Sequence, residues 1–453
     1  MTFLDSFDLV ERIWERDPTV WTGHDEAHWL GWLDEPLRMR ERVGELVAFA
    51  EDARGQFSEV VLLGMGGSSL APEVLRRTFG RESFHVLDTT HPRAIRRLAE
   101  SLDLQRTLFV AASKSGTTLE TRSHLDFFWA RAGKKGRRFV AVTDPGSELE
   151  QLARKRGFRA VFAGEPTIGG RYSALSVFGL LPAALMGIDV GRLLEGVEAT
   201  LEACRVAEGN PGLELGLQLG AGWREGRDKV VSPNPGGFGL WLEQLLAEST
   251  GKDGKGLVPA PGESPERPDR QLVDVRIDDP YGLGSEFYRW EFAAAVVGAV
   301  LEINPFDQPN VQEAKDRTRQ ILSGRQDLVS EPKGSLDELL AQAREGDYVA
   351  IQAFIDPARE AELEPLVQRA RKESGAVVTC GLGPRYLHST GQLHKGGPPT
   401  GLFLQVVDET GEELPIPKRK FGFGRLIRAQ AAGDYAALKE RGRPVARVKL
   451  EEA

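Results

Sequence analysis

Short apolar runs alternate with amphipathic segments between residues 51 and 210. The runs in FSEVVLLGMGG, RTLFVAAS and RRFVAVTDPG are rich in Val, Leu, Phe and Ala, as buried strands are. Between them, APEVLRRTFG, TLETRSHLDFFWARAG and ELEQLARKRG place apolar residues at helical spacing. This repetition has the length of strand–helix–strand units, so the pattern predicts an α/β fold with a parallel sheet covered by helices on both faces.

The pattern breaks after this region and then resumes twice. LSVFGLLPAALMGI predicts a buried helix, a second strand–helix alternation starts near residue 226 with RDKVVSPN, and a third contains DYVAIQAFI and TGLFLQVVDE. We therefore predict an N-terminal helical segment over residues 1–50, an α/β domain over 51–210, a second over 211–330, and a C-terminal α/β region over 331–453 that packs on or completes the second domain.

The composition allows a sizeable core and limits the partners. Of 453 residues 41% are hydrophobic, and 58 Lys and Arg against 67 Asp and Glu give a net charge of −9. A long nucleic-acid contact needs a basic face, so we expect no nucleic-acid partner, whereas a local cationic pocket for a small anion fits this balance. The N-terminal residues carry acids, and no run of about 18 apolar residues suggests a membrane span. We therefore expect a cytoplasmic protein without a membrane partner.

The segment ASKSGTTLET follows an apolar run directly and is rich in hydroxyls. In an open parallel sheet ligands lie beyond the carboxyl ends of strands, where the next helix also offers unpaired N–H groups. Ser113, Ser115 and Thr118 would donate to a phosphate monoester there. Lys114 would add its positive charge or its backbone N–H, and Gly116 would allow a tight turn.

Each hydroxyl-rich turn also has a purely structural interpretation. TTLE has the pattern of a capping box from Thr117 to Glu120, which needs no ligand. LLGMGGSSLAP, with Gly67 and Ser68, reads equally as a Gly-rich turn with a Ser N-cap. Two such turns on successive parts of one sheet are less easily explained by capping alone and favour a phosphate site.

The two turns together resemble a known family. GMGGSS followed by SKSGTTLET resembles the sugar-isomerase (SIS) domain, a flavodoxin-like phosphosugar-binding unit. GGRYSALS, EQLLAESTGKDGKG and INPFDQPNVQEAK resemble segments of the phosphoglucose isomerase family, in the family's order between residues 60 and 315. The details resemble the isomerase portion of transaldolase–phosphoglucose isomerase fusion proteins.

The resemblance implies a fold and an activity. The fold would be two flavodoxin-like SIS domains with a C-terminal α/β extension, in a homodimer without cofactor or metal. The activity would be interconversion of glucose 6-phosphate and fructose 6-phosphate through a cis-enediol(ate), in glycolysis and gluconeogenesis. The alternatives are an isomerase of another phosphosugar, such as mannose 6-phosphate, and a non-catalytic phosphosugar sensor. A sensor would not require Glu248, Lys315 and Arg171 together, so their presence favours an enzyme.

The family's catalytic segments also assign roles to individual residues. Glu248, at the end of an apolar helix, would be the base, since a partly desolvated carboxylate suits proton abstraction; its alternative is an exposed helix-end Glu. Gln244, one turn earlier, would bond the substrate. Arg171 would stabilise the enediolate, against the alternative of a structural ion pair.

Further substrate contacts follow by the same resemblance. Glu120 matches a position that contacts the sugar, against the capping alternative. Gln308 and Lys315 come from FDQPNVQEAK, and the lysine would bring its charge to the ring oxygen or O1. Their alternative is a polar helix face.

The group that opens the sugar ring stays unassigned by the resemblance. The family has a His in a GQHAFY-like segment, which a neighbouring subunit supplies, but GLGSEFYRW stands here, with Glu286 nearest. LHSTGQLHKGGPPTG contributes His388 and His394, and an imidazole that titrates near neutrality suits proton transfer. His388 is the catalytic candidate, with Glu286 and His394 as alternatives and a structural loop as the interpretation without function.

Overall fold

The computed structural model describes residues 6–232, 236–325, 331–408 and 411–452. Its strands are β1 Glu59–Leu63, β2 Phe84–Leu87, β3 Thr107–Ala112, β4 Phe139–Thr143, β5 Ala160–Ala163, β6 Lys229–Val231, β7 Val258–Pro259, β8 Arg270–Leu272, β9 Tyr348–Phe354, β10 Val377–Leu382, β11 Gly401–Val407 and β12 Val445–Lys449. Its helices are α1 Ser6–Trp14, α2 Glu35–Arg54, α3 Leu70–Thr78, α4 Pro92–Ser101, α5 Leu119–Arg131, α6 Glu148–Lys155, α7 Val177–Leu185, α8 Val190–Ala203, α9 Pro211–Arg224, α10 Gly239–Thr250, α11 Leu283–Leu301, α12 Val311–Leu322, α13 Leu336–Leu340, α14 Glu364–Ser374, α15 Gly391–Gly396 and α16 Phe423–Glu440.

The N-terminal sheet is parallel, with the strand order β2-β1-β3-β4-β5. Its central strand β3 has the sequence TLFVAA and is buried at every position, as a strand covered on both faces must be. The pairing of β1 with β3 brings Leu63 opposite Ala111, so the loops that follow these strands start side by side. The predicted α/β fold with a helix-covered parallel sheet is confirmed.

Two further parallel sheets follow along the chain. A small sheet has the order β7-β6-β8, and a four-stranded sheet has the order β10-β9-β11-β12. The four-stranded sheet lies wholly within the C-terminal region. Val231 and Val258 of the small sheet share an apolar cluster with Tyr348 and Phe403, so the two sheets pack together. The division of the chain into domains stays a prediction.

The buried helix α11 supports the helix that carries Gln244 and Glu248. α9 approaches α11 through Gly216, where an added methyl group would lie 2.5 Å from Val296 Cβ. On another side, Trp241 of α10 meets Phe287 of α11 edge to face, with ring centroids 4.8 Å apart. The core of α11 therefore fixes the position of α10.

The C-terminal region docks over the carboxyl edge of the N-terminal sheet. Arg385 donates two hydrogen bonds, of 2.7 and 3.0 Å, to Asp88, which directly follows β2. Asp408, after β11, lies 3.2 Å from Nε2 of His91 at the start of α4, and both side chains are buried. These contacts place the turn Arg385–His388 above the first sheet. No helix in the described ranges is long and apolar enough to span a membrane.

Candidate functional site

The loop after β1 is built for close approach of backbone to backbone. Gly66 has φ +55, and a methyl group added there would lie 2.7 Å from the carbonyl oxygen of His388. A methyl group added at Gly67 would lie 1.9 Å from the carbonyl oxygen of Gly170. Ser68 is buried beside them. Only glycine fits these two positions, because any side chain would collide with the neighbouring loops.

The loop after β3 presents paired hydroxyls in front of α5. Ser113 Oγ lies 2.9 Å from Thr118 Oγ1, and Ser115 Oγ lies 3.0 Å from Thr117 Oγ1. Gly116 takes φ +70, which allows the turn. No side-chain hydrogen bond caps the start of α5, so the capping box is not formed. The hydroxyls and the N–H groups at this helix start are therefore placed as donors for an anion.

The side chain of Lys114 points away from these hydroxyls. Its Nζ lies 2.8 Å from Asp144 Oδ1 and 2.8 Å from the carbonyl oxygen of Glu165. Its ammonium group is thus held by the neighbouring strand end. Lys114 can therefore contribute its backbone N–H to the hydroxyl-rich loop, but not its ammonium group.

Glu120 forms a hydrogen-bonded pair with His388, from the other end of the chain. Glu120 Oε1 lies 3.0 Å from His388 Nε2 and accepts a bond of 2.6 Å from Gln430 Nε2. Burial alone would raise the pKa of Glu120, but the charge and hydrogen bond of His388 hold that pKa at about 2. A carboxylate only accepts, so Nε2 of His388 carries the hydrogen, and Nδ1 is left for a further partner.

Glu248 lies within a second group of polar side chains. Gln244 Nε2 donates to Glu248 Oε2 at 3.0 Å and to the carbonyl oxygen of His388 at 2.9 Å. Arg171 Nη1 lies 3.8 Å from Glu248 Oε1. Gln244 therefore joins Glu248 to the turn that bears His388.

Arg171 is 1% exposed and is held by hydrogen bonds on several sides. Nε donates to Ser249 Oγ at 2.8 Å, Nη1 to Gln308 Oε1 at 2.8 Å, and Nη2 to the carbonyl oxygen of Asp307 at 3.0 Å. The guanidinium is thereby fixed with one edge toward Glu248. Gln308 is connected to the site through its hydrogen bond with Arg171.

A pocket of about 270 Å³ opens beside Glu120 and His388, and Glu248, Gln244, Arg171 and Gln308 do not line it. Of the residues singled out in the sequence, Ser115, Thr118, Glu120, Lys315 and His388 line it. Lys315 comes from α12, and its side chain is exposed to the opening. The pocket therefore brings a hydroxyl loop, a carboxylate, an imidazole and an ammonium group together from three separate parts of the chain.

Glu286 and His394, the two alternatives for ring opening, do not line this pocket. Glu286 is buried on α11, where it accepts bonds of 2.7 and 2.8 Å from Arg289 and of 3.1 Å from Trp290. His394 is buried with Nδ1 3.0 Å from Gln352 Nε2, and burial holds its pKa well below the usual range. Among the three candidates, His388 is the one that lines the pocket.

Several residues near the site were missed in the sequence. Gln430 and Lys395 line the pocket, and the Lys395 ammonium lies 2.6 Å from the buried Asp434.

Lys252 lies behind Arg171, and its ammonium group donates a hydrogen bond of 2.6 Å to Asp307 Oδ1. Burial, together with the charge of Arg171, lowers the pKa of Lys252 to about 8. Lys252 belongs to the segment EQLLAESTGKDGKG, whose resemblance to the family could have pointed to this residue. Lys395 likewise stands in LHSTGQLHKGGPPTG, the segment that holds His388 and His394, whereas Gln430 lies in no such motif.

The described residues contain no group of three or more His, Cys, Asp or Glu side chains placed to hold a metal ion.

The chain is similar in sequence to proteins named glucose-6-phosphate isomerase. Residues 38–208 match the family model of phosphoglucose isomerase. A glucose-6-phosphate isomerase of Rippkaea orientalis is 30% identical over 385 residues, which cover 66% of this chain and 73% of that protein. A glucose-6-phosphate isomerase of Thermosynechococcus vestitus is 34% identical over 267 residues, covering 51% of this chain and 50% of that protein. The chain spans about half the length of several curated relatives that it matches.

Solved structures share the fold. A hypothetical protein from Thermus thermophilus superposes with a TM-score of 0.50 at 24% identity, over 98% of this chain and 83% of that chain. A glucose-6-phosphate isomerase from Chlamydia trachomatis superposes with a TM-score of 0.56 at 22% identity, over 70% and 78% of the two chains. At these identities the likeness concerns the fold alone.

Proposed function

Since this chain belongs to the phosphoglucose isomerase family, we propose that it interconverts glucose 6-phosphate and fructose 6-phosphate through a cis-enediolate. The observation that carries the proposal is the position of the Gln244 amide, 3.0 Å from Glu248 Oε2 and 2.9 Å from the carbonyl oxygen of His388. This amide connects Glu248 to the turn that bears His388. The carboxylate of Glu248 suits proton transfer between C1 and C2, and the imidazole of His388 suits ring opening.

The phosphate binds at the loop after β3. Ser113, Ser115 and Thr118 donate their hydroxyl hydrogens to its outer oxygens, together with the N–H groups at the start of α5. Gly67 and Ser68, on the loop after β1, are further proposed contacts of the substrate. Because the Lys114 ammonium is held 2.8 Å from Asp144, Lys114 contributes through its backbone N–H.

Ring opening uses the Glu120–His388 pair. In the protonated imidazole, Nε2–H bonds Glu120 and Nδ1–H gives its proton to the ring oxygen as the bond between that oxygen and C1 breaks. The hydroxyl hydrogen on O1 passes to solvent water at the pocket opening at the same time, and C1 becomes an aldehyde carbon. Lys315 stands at the pocket opening, where its positive charge favours the developing negative charge on O1.

Isomerisation then uses Glu248. Its carboxylate takes the proton from C2, the electron pair of that bond forms the C1=C2 double bond, and negative charge moves to O1. Arg171, fixed by Ser249 and Gln308, stabilises this charge. A proton passes from O2 to O1, Glu248 returns its proton to C1, and C2 becomes the ketone carbon. Gln244 keeps the carboxylate aimed at the two carbons.

The wider setting of the enzyme is proposed from its family. The chain would act as a homodimer in the cytoplasm, in glycolysis and gluconeogenesis, without a cofactor or metal. Sedimentation equilibrium of the purified chain tests the dimer, and a monomer at micromolar concentration would contradict it.

The activity is tested by a coupled assay that follows fructose 6-phosphate formed from glucose 6-phosphate, with mannose 6-phosphate as a second substrate. We expect turnover of glucose 6-phosphate and a loss of at least about 100-fold in kcat for Glu248→Gln, the scale of general base catalysis. Glu243→Gln on the same helix is the matched control. Burial raises the pKa of Glu243 to about 8, so this carboxyl is largely uncharged near neutrality and Gln resembles it closely.

The outcomes of this assay separate the alternatives. Binding of glucose 6-phosphate without turnover would establish a phosphosugar sensor instead. Turnover of mannose 6-phosphate in preference to glucose 6-phosphate would assign a different isomerase. If Glu248→Gln keeps the kcat of the Glu243→Gln control, Glu248 is not the base.

A further inference from the structure

Lys252 is a buried cation that takes no part in the proposed proton transfers. It stands two residues after the end of α10, the helix that carries Glu248, and is 2% exposed. Its ammonium group donates to the carbonyl oxygen of Asn304 at 2.6 Å, to the carbonyl oxygen of Asp307 at 2.7 Å and to Asp307 Oδ1 at 2.6 Å. An ammonium group has three hydrogens, so the loop of residues 304–308 engages all of them.

Arg171 donates hydrogen bonds to the same loop. Its Nη2 donates to the carbonyl oxygens of Pro305 and Asp307, the latter at 3.0 Å, and its Nη1 donates to Gln308 Oε1 at 2.8 Å. The carbonyl oxygen of Asp307 therefore accepts a hydrogen bond from both cations. A change in the position of this loop would thus change the position of the Arg171 guanidinium.

Two buried cations that share one carbonyl oxygen repel each other, and burial strengthens this repulsion. Burial and the charge of Arg171 accordingly lower the pKa of Lys252 to about 8. Two carboxylates oppose this lowering: Asp307, 2.6 Å from the ammonium group, and Glu248, which lies 3.8 Å from Arg171 Nη1. A cation is kept at this position in spite of its electrostatic cost, which points to a role in the reaction rather than in stability.

The charges around Arg171 stay balanced during the proposed isomerisation. Before the proton transfer, the two cations face the carboxylates of Asp307 and Glu248. When Glu248 takes the proton from C2 it becomes neutral, and one unit of negative charge moves to the enediolate. The pair of cations therefore has a negative partner in the intermediate as well as in the resting enzyme.

We propose that Lys252 is a positioning residue for the isomerisation, which holds the Arg171 guanidinium, through the loop 304–308, at the place where the enediolate charge develops. This inference rests on the proposed function, because it needs a developing negative charge beside Arg171. Lys252 acts through Arg171 and not on the substrate, since the loop takes all three of its hydrogens.

The coupled assay with Lys252→Met tests this role. We expect kcat for glucose 6-phosphate to fall about tenfold, less than the loss of about 100-fold or more for a donor that contacts an oxyanion directly. KM should stay within about threefold of wild type, because the hydroxyl-rich loop is unchanged. Lys252→Arg, which keeps the charge, should recover most of kcat.

Lys255→Met is the matched control for these variants. Lys255 belongs to the same segment, but its ammonium group donates to the carbonyl oxygen of Leu301 at 2.7 Å, outside the loop 304–308. We expect its kcat to stay at the wild-type value. If Lys252→Met does not fold, Lys252→Gln, which keeps an N–H donor for the loop, takes its place with the same expected loss.

A double-variant cycle separates positioning from a general loss of structure. If Lys252 acts through Arg171, Arg171→Gln/Lys252→Gln should have the kcat of Arg171→Gln alone, because the guanidinium that Lys252 positions is already absent. Independent structural damage would instead multiply the two losses.

Two results would overturn the inference and leave the proposed function intact. They are a kcat of Lys252→Met equal to that of Lys255→Met, and a double variant whose loss is the product of the two single losses. A wild-type enzyme that does not turn over glucose 6-phosphate would overturn the proposed function, and this inference with it.

Discussion

The side-chain amide of Gln430 donates a hydrogen bond of 2.6 Å to Glu120, on the same oxygen that His388 approaches at 3.0 Å. Thr90 Oγ1 in turn donates to Gln430 Oε1 at 2.6 Å, which fixes the orientation of the amide. A chain of hydrogen bonds thus runs from the N-terminal sheet through α16 to the imidazole. Gln430 is a positioning residue, because it acts through Glu120.

Gln430→Leu should lower kcat for glucose 6-phosphate about tenfold, with little change in KM, since one hydrogen bond to a charged group is lost. The basic limb of the pH–rate profile should move to higher pH, because a carboxylate with fewer donors attracts the protonated imidazole more strongly. Steady-state kinetics across pH measure both effects. Thr90→Val should give a smaller change in the same direction, because it removes only the hydrogen bond that orients the Gln430 amide.

Gln320→Leu, an exposed glutamine on α12, is the control for these variants. A merely structural role of Gln430 would lower the melting temperature and leave the pH–rate profile in place. That result would show that the Gln430–Glu120 contact does not serve the proposed chemistry.

Among the three candidates for ring opening, only the substitution of His388 should remove activity. His388→Gln should lower kcat about 100-fold, the lower end of what general acid–base catalysis contributes. Glu286→Gln should leave kcat within about threefold but lower the melting temperature, because it weakens a buried ion pair with Arg289 at 2.7 Å. Calorimetric melting and the coupled assay on the same samples separate the two effects.

His394→Gln completes this comparison. Its imidazole lies 3.0 Å from Gln352 and not in the pocket, so we expect loss of stability with kcat retained. A folded His394→Gln variant with a kcat as low as that of His388→Gln would assign ring opening to His394 instead.

Gly67 and Gly170 offer a matched pair at the contact between two loops. Gly67→Ala should destabilise the fold by about 2 kcal/mol or more, because the new methyl group would lie 1.9 Å from the Gly170 carbonyl oxygen. At Gly170 itself nothing lies within 4 Å of an added methyl group, so Gly170→Ala should stay close to wild type. Urea denaturation measures both variants, and similar midpoints for the two would refute the close contact.

The local parts of this molecule could be predicted from the sequence. β1 and β3 are short apolar runs between turn residues, and the hydroxyl loops follow them directly, so pattern alone indicated where an anion site would lie. The choice between a capping box and a ligand loop depended on Glu120, whose carboxylate bonds His388 in place of its own helix. That contact joins residues 268 positions apart, which no local pattern contains.

The other parts of the site could not be predicted from the sequence, because they depend on how the C-terminal sheet packs on the N-terminal sheet. Arg385 and Asp88, which hold that contact, lie 297 positions apart. Gln430 belongs to an Ala-rich helix with no motif around it, and its role appears only when α16 lies against α5. The order of the strands in the C-terminal sheet likewise follows from long-range packing and not from spacing.

Glu243 should make stability depend on pH. Burial, opposed in part by the charge of Arg385, raises its pKa to about 8 in the folded chain, against an ordinary value of about 4.5. The folded state then binds a proton that the unfolded state releases as pH rises above about 4.5. The contribution of Glu243 to stability is therefore complete below about pH 4.5 and is lost as pH rises toward 8, by at most about 1.4 kcal/mol per pH unit.

Glu243→Gln cannot release a proton, so its unfolding free energy should exceed that of the wild type by a margin that grows between pH 5 and pH 8. Urea denaturation at these two pH values measures the margin, with Glu345→Gln, an exposed glutamate, as the control. A margin that stays constant across this range would mean that Glu243 is ionised in the folded chain at neutral pH, and Glu243→Gln would then no longer be a matched control for Glu248→Gln.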